Sequence, residues 1–128
     1  MESQDYFSEK MELSPSDFNG ASLKSTECAL VLFYAPWCGY CKLVKEPWKQ
    51  LASTVAYIDV FAFNCEKNKS YLQKIKEEHP YLIPGYPTIV FYKNGKVVKA
   101  INSKSKDEDE NSFKQRLVSI SMDLCKSN

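Results

Sequence analysis

Ala29-Leu30-Val31-Leu32-Phe33-Tyr34-Ala35-Pro36-Trp37-Cys38-Gly39-Tyr40-Cys41-Lys42 is the stretch that decides the fold of this chain. Its first half, Ala29 to Tyr34, is continuously apolar, as expected of a central strand covered on both faces. Its second half sets two cysteines three positions apart, where the strand gives way to a helix expected from Cys41 to about Val55. Two cysteines with this spacing at a strand-to-helix junction can close a small disulfide ring. They also lie at the positive end of a helix, where backbone N–H groups favour an anionic sulfur. This is the layout of a redox-active dithiol.

Working outward, the helix after Cys41 turns Leu43, Val44, Trp48, Leu51 and Ala52 inward, and Pro47 is expected to kink it. Val55 to Phe63 is β-branched and aromatic and reads as a second buried strand. Asn68 to about Glu78 reads as a charged amphipathic helix holding Tyr71, Leu72 and Ile75 inward. Pro80, Pro84 and Pro87 then enforce a loop. Thr88–Tyr92 and Lys96–Ile101 flank Asn94-Gly95, a strong hairpin signal. A polar connection, Ser103 to Asn111, leads to a final helix from about Asp109 with Phe113, Leu117, Ile120 and Leu124 at helical intervals.

On the N-terminal side, residues 1–8 read as a flexible arm before a domain over residues 9–126. Met11-Glu12-Leu13 is expected as a short edge strand. Ser14 to about Lys24 is expected as a short helix, capped by Ser14 or Asp17 and burying Phe18 and Leu23. The order predicts an α/β domain with a central mixed β-sheet flanked by helices on both faces.

With 128 residues the chain suffices for one core and not for two ordinary domains. A net charge of +1 gives no electrostatic reason to expect nucleic acid or an anionic membrane as partner. No apolar run resembles a signal peptide or a span, and no retention tag is visible. As it stands, the chain is expected in a cytoplasmic or other reducing intracellular compartment, and in the endoplasmic reticulum only if it is an excised fragment.

The five cysteines are Cys28, Cys38, Cys41, Cys65 and Cys125, an odd count unlike that of a secreted scaffold. Zinc would need a second close pair or a His pair, and His79 is the one histidine, so no metal site is expected. Cys65 reads as buried filler. Cys28 and Cys125 have no motif support, and either could form an intermolecular disulfide under oxidation.

Leu30 to Lys42, followed by Gly85-Tyr86-Pro87-Thr88-Ile89-Val90-Phe91-Tyr92-Lys93-Asn94-Gly95, resembles the thioredoxin superfamily, and within it the catalytic domains of protein disulfide isomerase. The match runs from about Leu13 to Leu124. The resemblance implies a thioredoxin fold and a thiol–disulfide oxidoreductase without a cofactor, acting as a monomer on protein disulfides or thiols with an electron donor or acceptor that remains open. It implies that Cys38, exposed, attacks a substrate disulfide and that Cys41, more buried, resolves the mixed disulfide, the two forming the redox-active Cys38–Cys41 pair. Trp37, Gly39, Tyr40, Tyr86 and Pro87 would support the site and bind substrate, with Pro87 cis against the dithiol and the Tyr86 backbone pairing to the substrate chain.

Two residues between the cysteines tune such a site. Tyr40 is neutral where the isomerases carry histidine, so one charge that would stabilise a thiolate is absent. A reduction potential of roughly −270 to −180 mV is expected. The chain also departs from the family. Leu32 stands where relatives bury an acid, and Ala62 aligns with its lysine partner, so both members of a buried charge pair are apolar. Losing both can be neutral for stability, but Cys41 then lacks its usual base. That absence keeps a second reading open, a thioredoxin-fold binding or chaperone module with weak redox turnover. A third reading, independent of it, is a metal carrier using Cys38 and Cys41.

Overall fold

The computed structural model describes residues 6–127. Elements follow in the order β1 (Phe18–Asn19), β2 (Ser22–Leu23), β3 (Cys28–Tyr34), α1 (Gly39–Thr54), β4 (Asp59–Asn64), α2 (Lys69–Glu78), β5 (Thr88–Lys93), β6 (Lys96–Ile101) and α3 (Glu110–Lys126). The main sheet has strand order β4-β3-β5-β6, with β3 parallel to β4 and antiparallel to β5. It is the mixed sheet of a thioredoxin fold.

Every residue of β3 is buried, and the pleat sends alternate side chains to opposite faces. Leu30, Leu32 and Tyr34 join the core beneath α1 and α3, whereas Ala29, Val31 and Phe33 join the one beneath α2. This explains the uninterrupted apolar run, because a strand with two covered faces has no solvent side to alternate with. Trp48 locks α1 to the sheet by donating its indole N–H to the Phe61 carbonyl at 3.1 Å. The helix continues through Pro47, whose ring is buried.

The N-terminal third differs from the sequence-based expectation. Residues 1–5 of the expected arm lie outside the described residues, but Tyr6 and Phe7 are packed into the domain. Phe7 is buried, its ring edge-on to that of Tyr34 at 5.3 Å, and its N–H donates to Glu12 Oε2 at 3.2 Å. The expected strand at Met11–Leu13 is reduced to one parallel bridge, Glu12 to Ala62, held by Leu13 N–H to Ala62 O and Ala62 N–H to Met11 O, both 2.8 Å.

The expected helix over Ser14–Lys24 is instead a 3-10 turn, Pro15–Asp17, followed by the hairpin β1–β2. The cause is local and tertiary together. Gly20 adopts φ +63°, where a side chain is strained, and a Cβ there would run into the Glu78 carboxylate. The Tyr71 hydroxyl donates to Gly20 O at 2.7 Å, and Ala21 N–H donates to Glu78 Oε1 at 3.1 Å. Phe18 and Leu23 are buried as expected, from strands rather than a helix.

Two boundaries move. α1 begins at Gly39 with Cys38 as its N-cap, and Val55 is its C-cap, so β4 starts only at Asp59. At the far end of the domain, Cys28 is bonded to Cys125 within the chain, with Cα atoms 5.9 Å apart across 97 residues of sequence. This corrects the expectation of two unpaired thiols open to intermolecular bonding. The reason is topological: the last turn of α3 docks where β3 begins. Lys93, the register partner of Cys28, reaches the Ser127 carbonyl at the same place. No helix among the described residues is long and apolar enough to cross a membrane.

Candidate active site

Cys38 caps α1. Its backbone is extended (φ −76°, ψ 120°), and its sulfur accepts the Cys41 N–H at 3.2 Å. The N-cap position turns the sulfur toward the unsatisfied N–H groups of the first helical turn. From the other side the Cys38 thiol donates to the Tyr86 carbonyl at 3.4 Å. The Tyr86–Pro87 peptide is cis, as the resemblance implies, and brings this loop against the dithiol.

Both cysteines are free thiols. Cys38 keeps only 7% exposure and Cys41 none, so Cys38 is more enclosed than an exposed nucleophile, yet it alone is reachable. Burial pushes the Cys41 thiol up to about 12, a hydrogen bond with Cys38 adds to this, and the Ala35 backbone N–H partly opposes it. Cys41 is therefore a neutral thiol across the physiological range.

The aromatic surroundings divide by depth. Trp37 and Tyr40 are exposed, at 65% and 56%. The Trp37 indole N–H donates to Glu66 Oε1 at 2.9 Å, and its ring meets that of Tyr86 edge-on at 6.0 Å. That hydrogen bond, with help from Lys69, holds the Glu66 carboxyl below its ordinary range. Gly39 is exposed with open space where a Cβ would stand, so nothing in this chain's own packing requires its smallness.

Cys65 is buried, as the sequence suggested, but it is not isolated. Its thiol donates to the Phe63 carbonyl at 3.8 Å, and burial pushes it up to about 12, with the nearby Tyr86 side chain partly opposing the shift. Leu32 and Ala62 are register partners on adjacent strands, both wholly buried, so the two apolar replacements face the same core together.

Sequence reasoning missed three neighbours. Lys106 sits with its ammonium 5.8 Å from the Tyr40 ring centroid. Its loop is fastened by Arg116, which pairs with Glu108 at 2.8 Å and donates to the Asn102 carbonyl at 2.9 Å. Glu12 accepts the Tyr34 hydroxyl, and Tyr6 stacks on Tyr34 at 4.6 Å. The adjacent aromatics Tyr6-Phe7 in a largely polar terminus were the available signal for Tyr6. Among the described residues no group of three or more His, Cys, Asp or Glu side chains could hold a metal ion.

A cis-proline loop set against a Cys-x-x-Cys helix cap, on a four-stranded mixed sheet, defines a thioredoxin-type domain. The thioredoxin family model matches residues 9–117, and the chain belongs to that family. It is 37% identical over 87 residues to protein disulfide-isomerase like 2-2 of Arabidopsis thaliana, covering 67% of this chain and 18% of that protein. It is 36% identical over 83 residues to mouse (Mus musculus) protein disulfide-isomerase A6, covering 64% and 18%. The chain thus spans about a fifth of the length of these curated relatives. Among solved structures, the Trx4 domain of ERdj5 superposes with a TM-score of 0.67 at 21% identity, covering 91% of this chain and 96% of that one. A thioredoxin mutant from Halobacterium salinarum NRC-1 gives 0.53 at 24%, covering 75% and 76%. These two likenesses concern the fold.

Proposed function

We propose that this chain is a protein thiol–disulfide oxidoreductase working through Cys38 and Cys41. The observation that carries the reading is the position of the Cys38 sulfur, between the Cys41 N–H at 3.2 Å and the Tyr86 carbonyl at 3.4 Å. Cys38 reacts as its thiolate, the nucleophilic form of a cysteine. That thiolate attacks one sulfur of a substrate disulfide, forms a mixed disulfide and expels the other sulfur, which takes up a proton. Cys41 then loses its proton, attacks the Cys38 sulfur, closes the Cys38–Cys41 disulfide and releases the second substrate thiol. Run backwards, the same steps oxidise a dithiol, so the partner supplies the direction.

Once Cys38 engages substrate, the Tyr86 carbonyl is free to accept a backbone N–H of the incoming chain. Trp37 and Tyr40 offer apolar contact beside it. The substrates are therefore proteins or peptides with accessible disulfides or thiols, and the expected potential stays at roughly −270 to −180 mV. The Cys28–Cys125 bond supports an oxidising compartment, against the reducing one expected from sequence, because such bonds persist where thiols are not kept reduced. The apolar pair Leu32 and Ala62 favours one rival, a binding module with little turnover. Insulin reduction by dithiothreitol, followed by turbidity, separates the two. Wild type should outpace Cys38→Ser by orders of magnitude, and equal rates would establish the module instead.

A further inference from the structure

Cys41 must lose a proton in the second half of that reaction, and its surroundings make this hard. The sulfur is fully buried with apolar Leu32, Ala35 and Ala62 in the same core. Among the described residues, its titratable neighbours include the thiols of Cys38 and Cys65 and the phenols of Tyr6 and Tyr86, the last two packed against the same core. Cys38 is consumed in the mixed disulfide. The Cys65 thiol donates to the Phe63 carbonyl at 3.8 Å, and the Tyr86 ring lies at the rim, edge-on to Trp37. Tyr6 remains.

The Tyr6 hydroxyl is shielded from solvent and hydrogen-bonded to no described protein group, one of four such side-chain atoms, and the one of the four with the dithiol among its electrostatic neighbours. A buried unpaired hydroxyl costs stability, and functional sites are where such costs persist. Its placement is specific. Lys45 shares a helical face with Cys41, four residues on, and its ammonium lies 4.6 Å from the Tyr6 ring centroid. The ring also stacks on Tyr34, whose hydroxyl is held by Glu12. Glu12 Oε2 accepts the Phe7 N–H as well, at 3.2 Å, so one carboxylate seats both the tyrosine platform and the segment carrying Tyr6. Glu12 is the bridge partner of Ala62, itself the register partner of Leu32. The acid therefore lies in the same sheet row as the two apolar replacements.

We infer that Tyr6 serves Cys41: its O–H, seated by Glu12 and Tyr34, donates a hydrogen bond to the Cys41 sulfur, directly or through one water, as that sulfur becomes anionic. The phenol keeps its proton throughout, and the Cys41 proton leaves with the expelled substrate thiol, so the step balances without a further reactant. A cation over the ring strengthens the phenol as a donor. Burial pushes the Tyr6 hydroxyl up to about 12, in keeping with a donor that stays neutral. Tyr6 and Glu12 are positioning residues in this scheme, which rests on the dithiol reaction proposed above.

The test follows the two half-reactions separately, in the full chain, with a peptide disulfide that carries a thionitrobenzoate leaving group. Release of the chromophore reports attack by Cys38, and release of the peptide thiol reports resolution by Cys41. Tyr6→Phe should leave the first step unchanged and slow the second about tenfold at pH 7, moving its pH profile up by about one unit. Glu12→Gln should show the same change in weaker form. Tyr6→3-fluorotyrosine, nearly isosteric and more acidic, should move the profile down, which a purely structural role would not do. No chromophore burst from wild type overturns the dithiol reading and this inference with it. A normal burst, with second-step profiles unmoved by Tyr6→Phe and Tyr6→3-fluorotyrosine, overturns the inference alone.

Discussion

At one end of β3, Cys38 and Cys41 stand one helical turn apart as free thiols; at the other, Cys28 is bonded to Cys125. The seven residues of the strand hold the two pairs roughly 20 Å apart, too far for direct exchange. The near pair is made by local geometry, and its sulfur is kept available by single hydrogen bonds to Cys41 N–H and Tyr86 O. The far pair needs the whole domain folded before its sulfurs meet, and Cys28 is buried beneath α3. The thiol proposed to react sits at a helix mouth beside a loop carbonyl, whereas the bonded thiol sits at the base of a strand.

The comparison can be broken most directly at the near pair. Cys38→Ser should bring insulin reduction down to the uncatalysed rate while the melting temperature stays within a few degrees of wild type. Substitution at the far pair should give the opposite pattern. Cys28→Ser or Cys125→Ser removes a bridge spanning 97 residues and should cost about 2–4 kcal/mol, or roughly 10 °C in melting temperature. Urea unfolding checks this, and turnover at 25 °C should remain near wild type. A Cys28→Ser variant as inactive as Cys38→Ser would erase the distinction.

A pH scan sharpens it further. Burial pushes Cys41 and Cys65 from 9.0 up to about 12, whereas in the unfolded chain both titrate near their ordinary values. The unfolded state thus releases protons first, so stability is intact below about pH 9 and falls as pH rises toward 12. Cys65→Ala should flatten that alkaline loss in urea titrations between pH 8 and 11. The smallest effect belongs to the rim. Trp37→Phe loses the indole N–H bond to Glu66 and should raise the KM for a protein substrate about two- to fivefold with kcat preserved.

The dithiol, the Asn94-Gly95 hairpin and the helices α2 and α3 were legible because each depends on short-range chemistry. Asn94 and Gly95 take positive φ values of 52° and 81°, the backbone that this dipeptide tolerates best. Cys38 caps a helix because its sulfur reaches the N–H of Cys41, three positions on. The region before Cys28 was not legible in the same way. Ser14-Pro15-Ser16-Asp17 carries helix-start chemistry, yet only a 3-10 turn forms, because Gly20 is claimed by Tyr71 and Glu78 from α2. Residues far away along the chain overrode a local preference.

Chain order and residue type alone therefore determined the mixed sheet, the strand buried on both faces and the two sulfurs at the mouth of α1. Periodicity and turn chemistry act within a few residues and mark the elements, and the order of those elements implies the sheet. Only the tertiary structure decided that Cys28 meets Cys125, that Lys45 of α1 lies over the Tyr6 ring, and that Glu12 joins the sheet row of Leu32 and Ala62. Each of those contacts joins segments separated by tens of residues, so it exists only once packing has brought them together.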